Sequence, residues 1–152
     1  MKDLLYKALS YYGLEEVPGE KNNPEILSFF KALGHDWVQS ELISWCSAFI
    51  DYIARELQYE RANSLVARDW LKVGVDIPIP DIGDIVVLWR ESPLSWKGHV
   101  GLFIRETHDK VYLLGGNQND SVCIKAYPKE RVLGYRQLRK KYSFLNYFDD
   151  ED

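Results

Sequence analysis

The segment Ser44-Trp45-Cys46-Ser47-Ala48-Phe49 decides how the rest of the chain is read. Ser44 is a good helix N-cap, and Cys46, Phe49, Ile50, Ile53 and Leu57 recur on one face of a helix reaching about Leu57. The first N–H groups of a helix lack intrahelical acceptors, and the aligned peptide dipoles put partial positive charge there. A thiol at that point is therefore favoured as thiolate. A thiolate attacks carbonyl carbon, and the chemistry then needs a base that can become an acid. His99, in Gly98-His99-Val100-Gly101, is the candidate; His35 reads as a loop residue and His108 as a hairpin tip. Position alone does not make Cys46 a nucleophile, because a free cysteine on an apolar stripe is more commonly a small buried hydrophobe.

Upstream, Leu4, Leu5, Ala8, Leu9 and Tyr12 predict a packing helix stopped by Gly13. A polar loop with Pro18-Gly19 leads to Asn23-Pro24-Glu25, the cap, first-turn proline and acidic residue of a second helix. Its stripe is Ile26, Leu27, Phe29, Phe30 and Leu33, and Gly34 ends it. A fourth helix is predicted from Ser64 to about Val73.

After Pro78-Ile79-Pro80 the pattern turns extended. Strands are predicted over Ile85–Trp89, Val100–Arg105, Val111–Leu114, Val122–Tyr127 and Val132–Arg136, with a turn at Thr107–Lys110 and a break at Gly115-Gly116-Asn117-Gln118-Asn119-Asp120. Helices followed by an antiparallel meander predict an α+β fold, N-terminal helices packed on a C-terminal antiparallel sheet of about five strands. Residues 1–140 are read as one domain and 141–152 as a tail ending in Asp149-Asp150-Glu151-Asp152.

The 152 residues can bury a core without staples, so Cys46 and Cys123 are read as free thiols, Cys123 as core. A net charge of -4 argues against nucleic acid, whose phosphates need clustered cations. No apolar run has the length of a signal peptide or a membrane span, which predicts a chain made in the cytoplasm. The Cys and His clusters that zinc requires are absent, so no metal and no cofactor are expected. At 14% aromatic residues the chain has rings available for a groove; Trp37, Trp45, Trp89 and Trp96 are candidates, with core packing the commoner use.

Taken together, Asn22-Asn23-Pro24, Trp45-Cys46-Ser47-Ala48-Phe49, Gly98-His99-Val100-Gly101 and Gly115-Gly116-Asn117-Gln118 resemble the NlpC-like and CHAP-like cysteine peptidases and amidases, papain-like enzymes that cut bacterial peptidoglycan. The likeness is to a small bacterial and phage-associated branch and runs from about Leu4 to Arg136. It implies Cys46 as nucleophile, His99 as base and then acid, and a polar third residue that orients the imidazole. Asn117 is assigned that role, with Gln118 its rival, and Asn117 in a Gly-Gly-Asn turn has an alternative reading as a residue tolerant of left-handed angles. Trp45, Ser47, Gly98 and Gln118 are the residues expected to meet substrate. Two positions depart from the pattern: Glu41 stands where the branch has Asp, and Ser40 stands where papain-like enzymes carry an oxyanion-hole amide, leaving backbone N–H groups for that task.

The implied function is hydrolysis of an amide in peptidoglycan stem peptides, as endopeptidase or amidase. The implied partners are peptidoglycan or its fragments and an immunity protein or secretion partner, with action at the wall or periplasm by a monomer. Two alternatives stand beside it, a thiol hydrolase or transferase toxin acting on a non-wall amide and a catalytically inactive papain-like binding module.

Overall fold

A helix needs its first N–H groups satisfied and an apolar face to bury, and the N-terminal third of the chain supplies both. The computed structural model describes residues 2–17, 23–35 and 44–141. Asn22, Trp37, Ser40, Glu41, the Pro18-Gly19 loop and the acidic tail beyond Lys141 lie outside the described residues. Helix α1 spans Lys2–Leu9 and buries Leu4, Leu5 and Ala8. It stops short of Gly13: the Ser10 hydroxyl donates to the Lys7 carbonyl at 2.5 Å, a local bond that competes with the helix ladder, and Tyr12 is exposed. In α2, Pro24–Ala32, Asn23 Oδ1 accepts the Glu25 N–H at 2.9 Å and proline opens the helix, as its sequence predicts.

Helix α3, Cys46–Glu56, is the centre of the molecule. Cys46, Ser47, Ala48, Phe49, Ile50, Asp51, Ile53 and Ala54 are all buried, with α1 and α2 on one side and the sheet on the other. Burying a large apolar side chain such as Phe49 or Ile50 stabilises by ~1.5–3 kcal/mol. Its N-cap is Trp45 rather than Ser44, without a side-chain cap bond. The Ser44 hydroxyl is engaged instead by Asn117.

The expected fourth helix is a 3-10 helix, Ala67–Lys72. Ser64 takes up the N-terminal hydrogen bonding, accepting from the Val66 N–H at 3.0 Å and donating to Asp69 Oδ2 at 2.6 Å. Trp70 anchors the segment in the core, and its indole N–H donates to Ser47 Oγ at 2.8 Å.

Six strands follow: β1 Val75–Ile77, β2 Ile85–Trp89, β3 Gly98–Glu106, β4 Lys110–Gln118, β5 Ser121–Pro128 and β6 Val132–Gln137. They form one antiparallel sheet in the order β1-β6-β2-β3-β4-β5. The sixth strand is the short β1, which pairs with β6 at the edge. The fold is thus α+β, as the helix-then-strand order predicts. One sheet face, with Val87, Val100, Leu102 and Leu114, joins the core beneath α3; the other gathers Val86, Leu88, Phe103, Val111, Leu113 and Tyr127 into a second cluster. β2 is buried on both faces, which is why its sequence is a continuous apolar run. Among the described residues no helix is long and apolar enough to cross a membrane.

Candidate active site

The ends of α3, β3 and β4 converge, and each brings one polar side chain. Phe49 donates the first α3 backbone bond, to the Trp45 carbonyl at 3.0 Å, so the Cys46 N–H precedes the ladder and has no acceptor within the helix. Cys46 is 2% exposed and lies against the start of β3. Burial pushes its thiol up, but the charge and hydrogen bond of His99, the Ser44 hydroxyl and the Val100 N–H outweigh it and bring the pKa from 9.0 down to about 7.

His99 is 4% exposed, and its Nε2 lies 2.9 Å from Gln118 Oε1 and 3.2 Å from Tyr127 Oη. The Tyr127 ring covers the imidazole, centroids 5.2 Å apart. The Gln118 amide cannot be turned the other way: its Nε2 donates to the Leu113 carbonyl at 3.1 Å and the Cys123 carbonyl at 2.6 Å. With both amide hydrogens so held, Oε1 faces His99 as an acceptor. In the neutral tautomer that this acceptor selects, the proton sits on Nε2 and Nδ1 is the lone-pair nitrogen. Tyr127 is held well above the usual tyrosine range by burial and by the negative charge of Cys46, so it stays protonated.

Gln118, not Asn117, is the residue against His99. Cross-strand pairs match Gly115 to Cys123 and Gln118 to Ser121, so β4 carries one residue more than β5 over this interval. Such a bulge reverses the two-residue alternation. Asn117 takes up the extra residue with φ +57°. Its Nδ2 donates to Ser44 Oγ at 3.1 Å, and Ser44 Oγ lies 3.7 Å from Cys46 Sγ. Asn117 thus reaches the thiol side through Ser44. The two glycines before it are steric requirements of the same corner. A Cβ on Gly115 would lie 2.8 Å from Gln118 Oε1, and one on Gly116 would lie 2.6 Å from the Trp45 ring.

Beside Cys46 opens a cleft of about 220 Å³ lined by Ser44, Cys46, Leu65, Val66, Ala67, Arg90, Trp96, Lys97 and Gly98. Gly98 lines this cleft, and Trp96, 69% exposed, is the tryptophan at the rim. Trp45 and Ser47 do not reach the cleft. Both are fully buried; Trp45 Nε1 donates to Glu16 Oε1 at 2.6 Å, and Ser47 donates to the Ser64 carbonyl at 2.6 Å. Adjacent positions on a helix face different ways, and with Cys46 at the open end its neighbours turn inward. Trp89 lies away from this cleft, 5.7 Å from the Arg131 guanidinium. Tyr127 and Ser44 are the site residues that sequence reasoning missed: one reads as an ordinary strand aromatic, the other as a cap.

Cys46 and Cys123 are both free thiols, and Cys123 Sγ donates to the Gln118 carbonyl at 3.3 Å. Cys123 is only half-buried, because its place is the rim of this polar corner rather than the core. Among the described residues no three His, Cys, Asp or Glu side chains come together as a metal site.

No protein-family model and no curated protein matches the chain. Among solved structures, the fold is similar to a Staphylococcus aureus subsp. aureus Mu50 protein described as similar to lipoprotein, NLP/P60 family. The TM-score is 0.53 at 15% identity, over 93% of this chain and 41% of that one. This chain therefore spans less than half the length of that protein. At such identity the likeness concerns architecture: helices on an antiparallel sheet, in the manner of an NLP/P60 structure.

Proposed function

We propose that the protein is a cysteine hydrolase of amide bonds, with Cys46 as nucleophile, His99 as base and then acid, and Gln118 as the residue that orients the imidazole. One observation carries this reading: the neighbouring His99 brings a helix-start thiol down to a pKa of about 7, and the Nε2 of that histidine is held by a fixed amide oxygen. His99 Nδ1 takes the thiol proton as Sγ attacks the carbonyl carbon, and the C=O electrons move onto oxygen. The Cys46 N–H is a donor suited to that oxyanion. Collapse of the intermediate breaks the C–N bond, and His99 returns the proton to the leaving nitrogen. Water, deprotonated by His99, then cleaves the thioester and frees the acid and the thiol.

The proposed substrate is a stem-peptide amide of peptidoglycan, which places the site of action at the cell wall or periplasm. The four motifs in order and the fold likeness to an NLP/P60 protein support this choice. The test is release of new amino groups from purified peptidoglycan, with fragments identified by mass spectrometry. Wild type should release them and Cys46→Ala should not; equal release by both would overturn the mechanism, and loss of thiol-dependent release from any wall preparation would overturn the substrate.

A further inference from the structure

A second hollow, of about 270 Å³, is lined by His99 and brings Arg90, Lys125 and Arg131 together beside Tyr127. Arg131 and Lys125 both lie over the Tyr127 ring, 5.3 and 5.5 Å from its centroid, and Arg131 Nε donates to the Trp89 carbonyl at 3.0 Å. Asp120 is the one carboxylate in the lining, and it forms no ion pair with these cations. Neighbouring cations do find partners: Lys97 pairs with Glu91 at 2.7 Å and Lys129 with Glu106 at 3.2 Å. Three converging cations without a carboxylate partner among the described residues repel one another, and a bound anion relieves that repulsion. Guanidinium groups suit a planar carboxylate, which accepts two parallel hydrogen bonds.

We propose that this hollow binds a free carboxylate carried by the substrate on the leaving-group side of the scissile amide, so that the preferred leaving half is an acidic peptide. The inference rests on Cys46 as the attacking group. His99 gives its proton to the leaving nitrogen, so the amine half lies on the His99 side of the thiol. The hollow adjoins that side, and Arg90 lines both it and the Cys46 cleft. A peptide attacked at Cys46 thus meets the cations with its departing half.

The test is calorimetric titration of Cys46→Ala with two peptides that differ only in whether the glutamyl carboxylate following the scissile amide is free or amidated, and with inorganic phosphate alone. The free acid should bind about tenfold tighter or more than the amide. That preference should shrink in Lys125→Gln and in Arg90→Gln, whose exposed side chain makes no hydrogen bond to the described residues. Unchanged thermal unfolding of both variants excludes loss of fold as the cause. Equal binding of the two peptides, or a preference that survives both variants, overturns the proposal. Phosphate binding with no discrimination between the peptides does so too, and assigns the hollow to free anions. If wild type binds the acid tightly and cleaves neither peptide, the subsite stands and the hydrolase reading falls.

Discussion

Gln118 Oε1 lies 2.9 Å from His99 Nε2, and the amide that carries it is locked by two backbone carbonyls. Gln118→Ala removes the group that fixes the imidazole tautomer without touching Cys46 or the cleft. A positioned general acid and base contributes ~10²–10⁴-fold, and Gln118→Ala forfeits part of that, so kcat should fall about tenfold or more with KM little changed. Asn117→Ala should lose less, because its side chain acts on Ser44 rather than on the imidazole. Steady-state kinetics of the two variants decide between them; a larger kcat loss in Asn117→Ala would reverse the assignment.

Gln118→Glu separates acceptor from donor. The carboxylate keeps an oxygen for His99 but loses both hydrogens now given to Leu113 and Cys123 and aims charge at their carbonyl oxygens. Each buried group left unsatisfied costs ~1–3 kcal/mol, so urea unfolding should show a loss of at least ~2 kcal/mol despite the near-identical shape. A variant as stable as wild type would mean that those two bonds do not form.

Alkylation of Cys46 by iodoacetamide should rise with pH about a midpoint near 7, the value to which His99, Ser44 and Val100 bring the thiol. In His99→Ala the largest counterweight to burial is gone, so the midpoint should move up towards or beyond the ordinary 9.0. Mass spectrometry of the labelled protein after timed quenching gives both profiles. An unmoved midpoint would show that His99 does not act on the thiol.

The same lowered pKa makes stability pH-dependent, with a definite sign. Because the folded value, about 7, lies below the ordinary 9.0, the ionised thiol stabilises the folded chain fully above pH 9 and not at all below about 7. Relative to Cys46→Ser, wild type should therefore gain stability as the pH rises from about 7 towards 9. Urea titrations of both proteins across that pH range test it, and a flat difference would refute it.

Gly116→Ala tests how tightly the corner is built. The new methyl would lie 2.6 Å from the ring of fully buried Trp45 and 3.0 Å from Phe49 Cβ, and neither can swing away. Overpacking of this kind costs ~1–3 kcal/mol, and it would push β4 off the start of α3. Thermal unfolding and the Cys46 alkylation rate should both report the change.

The sequence by itself determined the elements that local periodicity controls. The apolar stripe of α3, the Asn23-Pro24 start of α2, the doubly buried β2 and the helix-then-strand order follow from which side chains must leave water, and they specify an α+β fold. Cys46 at a helix start and His99 at a strand start were legible for the same reason, since both stand at the boundary of a strong pattern. The partners of these residues were decided only in three dimensions. Strict alternation along β4 favours Asn117, but one extra residue at a bulge turns Gln118 to His99 and sends Asn117 to Ser44. Ser44 has the chemistry of a cap, yet the neighbouring strand engages its hydroxyl; Trp45 and Ser47 flank the thiol in sequence, yet the helix turns both into the core. Periodicity reports which face is buried. Which polar groups meet at the edge depends on register, bulges and the crossing of α3 over the sheet, and these are set by contacts between residues far apart in the chain.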